Sequence, residues 1–445
     1  MSVDLILKDL KTYVNNAVTE CCLAVKDGEI LKIGKEAHMP KAEAFLSLKG
    51  LLVLPGLIDV HVHLRDEGKS HKEDFHSGTA AAAAGGITTV LDMPNNDPMT
   101  MNVETLRNRM KIAEKMILVN VGFYSEFPKK LKEIGEIIRE GAIAFKLFMG
   151  EQLGGLIIED DSAIKEAFKI VGQKVPVAVH AEDKKTLEKA EKELKHKGCN
   201  DIEAFLGMHS EEAELKAVKR IIAIARETGV RVHFCHISTK KSLKTVNDAK
   251  KAGLPITCEA TPHHLFLSAE DLKRIGALAL TVPPVREKSH IDALWDSVKN
   301  GLVDIIASDH APHAVAEKSA DVVWNVKAGI PGLETTLPLL LTEVNHGKLG
   351  IADIVRLMAE NPAKIFGLSD RGSVKEGNKA DLVAVDLKRE YRIDASRFHS
   401  KAKYSPFDGM RVKGKPIKTF VGGQLVMDDG EIVAKAGSGE IVRRA

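Results

Sequence analysis

Apolar and polar positions change rhythm twice along the chain. Residues 4–54 alternate in short runs, as in Leu5-Ile6-Leu7, Cys22-Leu23-Ala24-Val25 and Ile30-Leu31-Lys32-Ile33, separated by turn signals such as Lys26-Asp27-Gly28. That texture predicts β-hairpins. It returns in Asp381-Leu382-Val383-Ala384-Val385, in Thr419–Val426 and in a hairpin through Met427–Val433. The two ends are therefore expected to pair into one small β-sandwich domain, residues 1–54 and 369–445, with residues 55–368 inserted between them.

Between Leu57 and Leu368 the rhythm becomes apolar run, loop and helical pattern, repeated. Strands are predicted at Leu57–His63, Thr88–Met93, Ile117–Phe123, Ala142–Phe148, Val175–His180, Val230–His236, Pro255–Ala260 and Asp304–Ser308. Helical patterns lie between them, at Ser77–Ala84, Val103–Glu114, Leu131–Glu140, Ala163–Val171, Glu211–Glu227 and Lys241–Ala252. Strands alternating with helices predict an α/β fold, a (β/α)8 TIM-type barrel. No Gly-x-Gly-x-x-Gly follows the first strand, which counts against a dinucleotide-binding sheet. The alanine run Ala80–Ala84 before Gly85-Gly86 predicts a helix seated closely on the barrel and ended by glycine.

Composition narrows the function classes. Hydrophobic residues make up 44% and charged residues 28% of the 445, and the net charge is +2 with no long run of one sign. Neither nucleic acid nor an anionic membrane is an expected partner. No apolar segment approaches the roughly 20 residues that span a bilayer, and the acidic start, Met1-Ser2-Val3-Asp4, does not read as a signal peptide. Five cysteines form no Cys-x-x-Cys pair or regular framework, so reduced thiols and a cytoplasmic address are expected.

The chemistry gathers at the C-terminal ends of the predicted strands, where barrels of this kind keep their sites. The first strand runs out into His61-x-His63, two side chains on one face if the strand continues. The fourth carries Lys146, the fifth ends in His180, the sixth in His236 and the eighth in Asp309. Neutral imidazoles and a carboxylate at one mouth read as a metal site, with Asp309 also placed to move a proton. A lysine buried among apolar residues is costly as a charge. Its neutral amine can add CO2 to give a carbamate with two ligating oxygens.

The order His61-x-His63, Lys146, His180, His236, Asp309 resembles the amidohydrolase superfamily. Within it, two stretches are very close to the signatures of class I dihydroorotases: Asp59-Val60-His61-Val62-His63-Leu64-Arg65-Asp66, and Ala307-Ser308-Asp309-His310-Ala311-Pro312-His313 with Lys318 five residues on. Asp92-Met93-Pro94-Asn95-Asn96 and Gly332-Leu333-Glu334-Thr335 also match, so the likeness spans the chain.

The resemblance implies a zinc enzyme with one or two ions, two favoured. His61, His63 and Asp309 would hold one, His180 and His236 the other, and carbamylated Lys146 would bridge them. It implies reversible hydrolysis of dihydroorotate to N-carbamoyl-aspartate, with the substrate carboxylate held by Arg65, Asn95 and His313, and with Ala328 and Gly329 at the substrate. A guanidinium fork suits a carboxylate. Hydantoinase and allantoinase are the neighbouring activities, and an inactive barrel bound to aspartate transcarbamoylase is the alternative of another class. A homodimer and a transcarbamoylase complex are the macromolecular partnerships the resemblance allows. Two positions depart from the pattern: Glu67 replaces a usual proline, and Val282 replaces an asparagine that contacts the ring. His71, His76, His233, His263, His264 and His310 are expected to be structural or supporting residues.

Overall fold

The computed structural model describes residues 2–444. Eight parallel strands form one sheet whose neighbours follow chain order: β1 (Leu57–Val62), β2 (Ile87–Asp92), β3 (Asn120–Glu126), β4 (Ala144–Phe148), β5 (Val177–His180), β6 (Val232–Phe234), β7 (Ile256–Ala260) and β8 (Ile305–Ile306). The last strand is short, so the barrel closes largely beyond it. Val62 bridges His310, the His63 amide donates to the His310 carbonyl at 2.8 Å, and the Asp59 carboxylate accepts the Ser308 amide at 3.0 Å. Asp59 therefore ties the first strand to the last, and burial pushes its carboxyl up to about 7.

Inside, the barrel is packed rather than open, as its parallel, two-sided burial requires. Small residues (Ala144, Ala178) leave room for Tyr124 and Phe366, which meet edge to face at 6.0 Å. Outside, helices bury their apolar stripes on the strands. In the first helix, Phe75–Ala84, the alanines at 80–83 are fully covered, Asp74 caps the start and Gly85 the end. A Cβ on Gly78 would stand 2.4 Å from Leu64, which shows how closely this helix approaches the barrel.

The third strand starts at Asn120, three residues later than its apolar run predicts. The reason is the C-terminal segment. Amides of Gly437 and Gly439 donate to the Ile117 carbonyl at 3.0 and 3.1 Å, and the Val121 amide donates to Glu440. That segment, rather than a neighbouring strand, takes the carbonyls of Ile117 and Leu118, while the side chains of Ile117–Val119 pack into the barrel core.

Both chain ends join in a second sheet, a single one of nine strands where a sandwich was expected. Leu52–Pro55 pairs antiparallel with Leu382–Val385 at the joint, and the hairpin through 427–433 forms with Met427 opposite Ile432. Between two strands of this sheet, residues 393–410 leave it and lie on the barrel, where Ser400 bonds Glu73 and the Tyr404 hydroxyl donates to the Gly329 carbonyl at 3.2 Å. Among the described residues no helix is long and apolar enough to cross a membrane.

Candidate active site

The mouth of the barrel holds a cavity of about 740 Å³ lined by His61, His63, Arg65, Asn95, Lys146, His180, His236, Asp309, His313, Ala328 and Gly329. Every residue expected at the site is brought together there. His61 lies on β1, Lys146 on β4 and His180 at the end of β5. His236 and Asp309 stand just beyond β6 and β8.

The donor atoms converge in two groups. Nε2 of His61 and of His63 approach Asp309 Oδ1 at 3.3 and 3.4 Å. His180 Nδ1 and His236 Nε2 are 3.1 Å apart. Lys146, fully buried, reaches 3.5 Å from His61 Nε2 and donates to Cys235 Sγ at 2.9 Å. Among the described residues no carboxylate lies within ion-pair distance of its ammonium. Burial holds His61, His63 and His236 below the ordinary imidazole range, so these rings stay neutral.

In His61, His63 and His180 the inward nitrogen is aimed by a partner on the far side of the ring. His61 Nδ1 donates to Glu259, His63 Nδ1 to the Asn95 side-chain oxygen at 2.6 Å, and His180 Nε2 to Glu182 at 3.0 Å. With the outer N–H spent on an acceptor, the inner nitrogen presents a lone pair, the arrangement metal-binding histidines use. Glu259 also accepts His233 Nε2 at 2.9 Å and the His236 amide at 3.1 Å. Burial pushes its carboxyl up, but His61 and His233 outweigh that and hold it well below the usual range. Glu182 is held low in the same way, by His209 and His180.

Neither glutamate was singled out in the sequence. Glu259 had a readable signal, a carboxylate in an apolar strand (Ile256-Thr257-Cys258-Glu259-Ala260), the same signal that pointed to Lys146. The remaining histidines stand apart from the donor groups. His310 bonds Glu73 at 3.2 Å, His264 bonds the Pro283 carbonyl, and His71 is mostly exposed.

Arg65, two residues past His63, would share its face if the strand ran on, but it reaches the cavity by a different route. β1 ends at Val62, and Arg65 adopts a left-handed backbone, φ 63°, in a turn past the strand. His236 (φ 30°) and Asp309 (φ 48°) share that unusual region. Such conformations cluster where side chains must be aimed. The guanidinium is 7% exposed, donates to the Pro312 carbonyl at 3.3 Å and lies 3.3 Å from His313 Nε2. It makes no pair with Asp66, which accepts the Phe75 amide instead. Burial, then Arg65 and Lys72, hold His313 neutral. Arg65, Lys69 and Lys72 thus stand together on the lining, Lys72 paired with Glu317 at 2.8 Å, and the imidazoles and Asp309 line the same cavity. Val282 lies on the lining and offers no side-chain hydrogen bond.

Comparison with known proteins agrees with this geometry. The amidohydrolase family profile matches residues 52–426. A dihydroorotase from Methanothermobacter thermautotrophicus is 38% identical over 413 residues, 92% of each chain. A dihydroorotase from Pyrococcus furiosus is 37% identical over 98% of this chain and 95% of its own. An L-hydantoinase from Paenarthrobacter aurescens is 33% identical over 99% and 98%. The solved L-hydantoinase (dihydropyrimidinase) from Arthrobacter aurescens superposes with a TM-score of 0.96 at 33% identity, covering 99% of this chain and all of its own. Strand order, donor set and sequence lead to one conclusion: the chain belongs to the amidohydrolase family.

Proposed function

We propose that the protein is a dihydroorotase, opening the cyclic amide of dihydroorotate to N-carbamoyl-aspartate and closing it in the reverse direction. The observation that carries this reading is Arg65, a buried guanidinium that lines the cavity beside His313 and the imidazole cluster. A cyclic substrate bearing a carboxylate matches that lining, and several relatives carry the name dihydroorotase.

The amidohydrolase family is metal-dependent, and the residues here fit a metal. Neutral imidazoles turn lone pairs inward, and the donor atoms of His61, His236 and Asp309 lie within 4.8 Å of one another. The buried Lys146 has no carboxylate partner among the described residues, and its neutral amine could add CO2, losing a proton, to become an anionic carbamate with two oxygens for a metal. His61, His63 and Asp309 would hold one zinc ion, His180 and His236 a second, with Lys146 between them. When bound, such ions lower the pKa of a water and polarise a carbonyl.

The chain's own groups do the rest. Arg65, with Asn95 and His313, holds the carboxylate and so turns the scissile carbonyl toward the donor cluster. Asp309 Oδ takes the proton of the attacking water and returns it to the departing ring nitrogen. Burial raises its carboxyl above the usual range, which His61 and Lys146 oppose. Glu259 and Glu182 keep the His61 and His180 rings from turning.

A second reading has a specific observation behind it. Val282 removes a side-chain contact to the ring, and an L-hydantoinase aligns over nearly the whole chain. Turnover of dihydroorotate, N-carbamoyl-aspartate, a hydantoin and allantoin by the purified protein tests the choice. Activity on the first two supports dihydroorotase; activity confined to the last two overturns it.

A further inference from the structure

Lys318 has no part in the chemistry above, yet it is 3% exposed and lies at the edge of the site. Its three N–H groups meet three main-chain carbonyls: Lys327 at 2.9 Å, Gly329 at 3.0 Å and Leu280 at 3.1 Å. An ammonium has three donors and all three are used. Among the described residues no carboxylate pairs with it, and desolvation pulls its pKa down to about 7. A buried cation without an anion is an expensive way to fill space. What distinguishes it from a leucine or methionine is what it holds.

The held segments are two walls of the cavity. Lys327, Ala328 and Gly329 line it, as does Val282, two residues beyond Leu280. Their attachment is redundant at one atom. The Gly329 carbonyl accepts from Lys318 and also from the Tyr404 hydroxyl at 3.2 Å, and the Gly329 amide donates to the Leu280 carbonyl at 2.8 Å. Gly329 itself, at φ 138°, is pressed so closely on Ala311 that a Cβ would lie 2.3 Å from the Ala311 oxygen. Ala328, between two clamped residues, has its own amide and carbonyl engaged by no hydrogen bond among the described residues. A cyclic imide presents a donor and acceptors along its ring edge, which the N–H and C=O of one residue can match. Val282 cannot.

We propose that Lys318 and Tyr404 are positioning residues that set the ring-recognition wall: they lock the 327–329 main chain so that the Ala328 peptide groups meet the substrate ring where Val282 offers nothing. Tyr404 comes from the 393–410 excursion, so a loop of the terminal sheet takes part in setting specificity in the barrel. The inference rests on the dihydroorotase reading for the identity of the ring.

The test compares the metal-loaded wild-type enzyme with Lys318→Met and Tyr404→Phe, measuring KM, kcat, metal content and melting temperature. We expect metal content to be unchanged and KM for dihydroorotate to rise at least about 10-fold in Lys318→Met and about 3-fold or more in Tyr404→Phe, with kcat within about 3-fold. A merely structural role would lower the melting temperature and leave KM alone, and that result overturns the proposal. Should Lys318→Met fail to fold, Tyr404→Phe, which loses one oxygen, decides: a wild-type KM refutes the clamp. If wild type turns over a different cyclic amide and not dihydroorotate, the functional reading fails. The same KM comparison on that amide still tests the clamp.

Discussion

Glu259→Gln isolates the framework around the imidazoles from the imidazoles themselves. One carboxylate accepts three hydrogen bonds, from His61 Nδ1, His233 Nε2 and the His236 amide, and so governs one expected ligand through its ring and another through its backbone. Glutamine keeps the shape and removes the charge. It also turns one oxygen into an NH2 group, which must face a donor. Hydrogen bonds to a charged acceptor are worth about 1.5–3 kcal/mol each, so losing one and weakening the others should cost the fold about 2–4 kcal/mol. The part felt at the metal should match other losses of a histidine's outer partner, about 10–100-fold in affinity. Zinc titration of metal-stripped protein against a competing chelator reads that term, while urea unfolding reads the first. Zinc affinity within 2-fold of wild type (on the order of experimental error) would refute the idea that Glu259 aims His61 and frames His236.

Two further outcomes bear on other parts of the site. Lys146→Ala should lose at least one metal equivalent by elemental analysis and lower turnover more than about 100-fold, beyond the cost of losing a supporting residue; retention of both metal and activity would discard the carbamate. Glu126, buried at the end of β3 with one carboxyl oxygen unpartnered among the described residues, has its pKa pushed by burial up to about 8. Between about pH 4.5 and 8 the unfolded chain has released a proton that the folded chain keeps, so this residue makes stability fall as pH rises. Glu126→Gln should therefore match wild type near pH 4.5 and exceed it by about 3 kcal/mol at pH 7; urea unfolding showing the same gap at both pH values would contradict this.

Much of this was legible in the chain because burial leaves strong patterns. Parallel strands covered on both faces read as apolar runs, and the residue that follows each run is the one at the barrel mouth. His61, His180, His236 and Asp309 could therefore be placed before any contact was known. What stayed hidden depends on contacts distant in sequence. Ile117–Val119 resemble a strand because their side chains enter the barrel core, yet the distant C-terminal segment takes their main-chain bonds. Arg65 has the spacing of a strand residue yet reaches the cavity through a left-handed turn, since β1 has already ended. Glu259 sits 198 residues from the histidine it aims, and Tyr404 reaches Gly329 from another sheet. Local alternation carries no record of such pairings.

Substrate choice in this barrel turns on whether the Arg65 wall reads a carboxylate. Dihydroorotate and dihydrouracil differ in that group alone, so the ratio of their kcat/KM values, measured on wild type and on Arg65→Met, tests it directly. A site built around a buried polar group rejects the analogue lacking its partner by large factors. The ratio should exceed about 10³ in wild type and fall toward unity in Arg65→Met with metal content unchanged. A wild-type enzyme that turns over both compounds equally well, or an Arg65→Met variant that keeps the preference, would contradict the assignment.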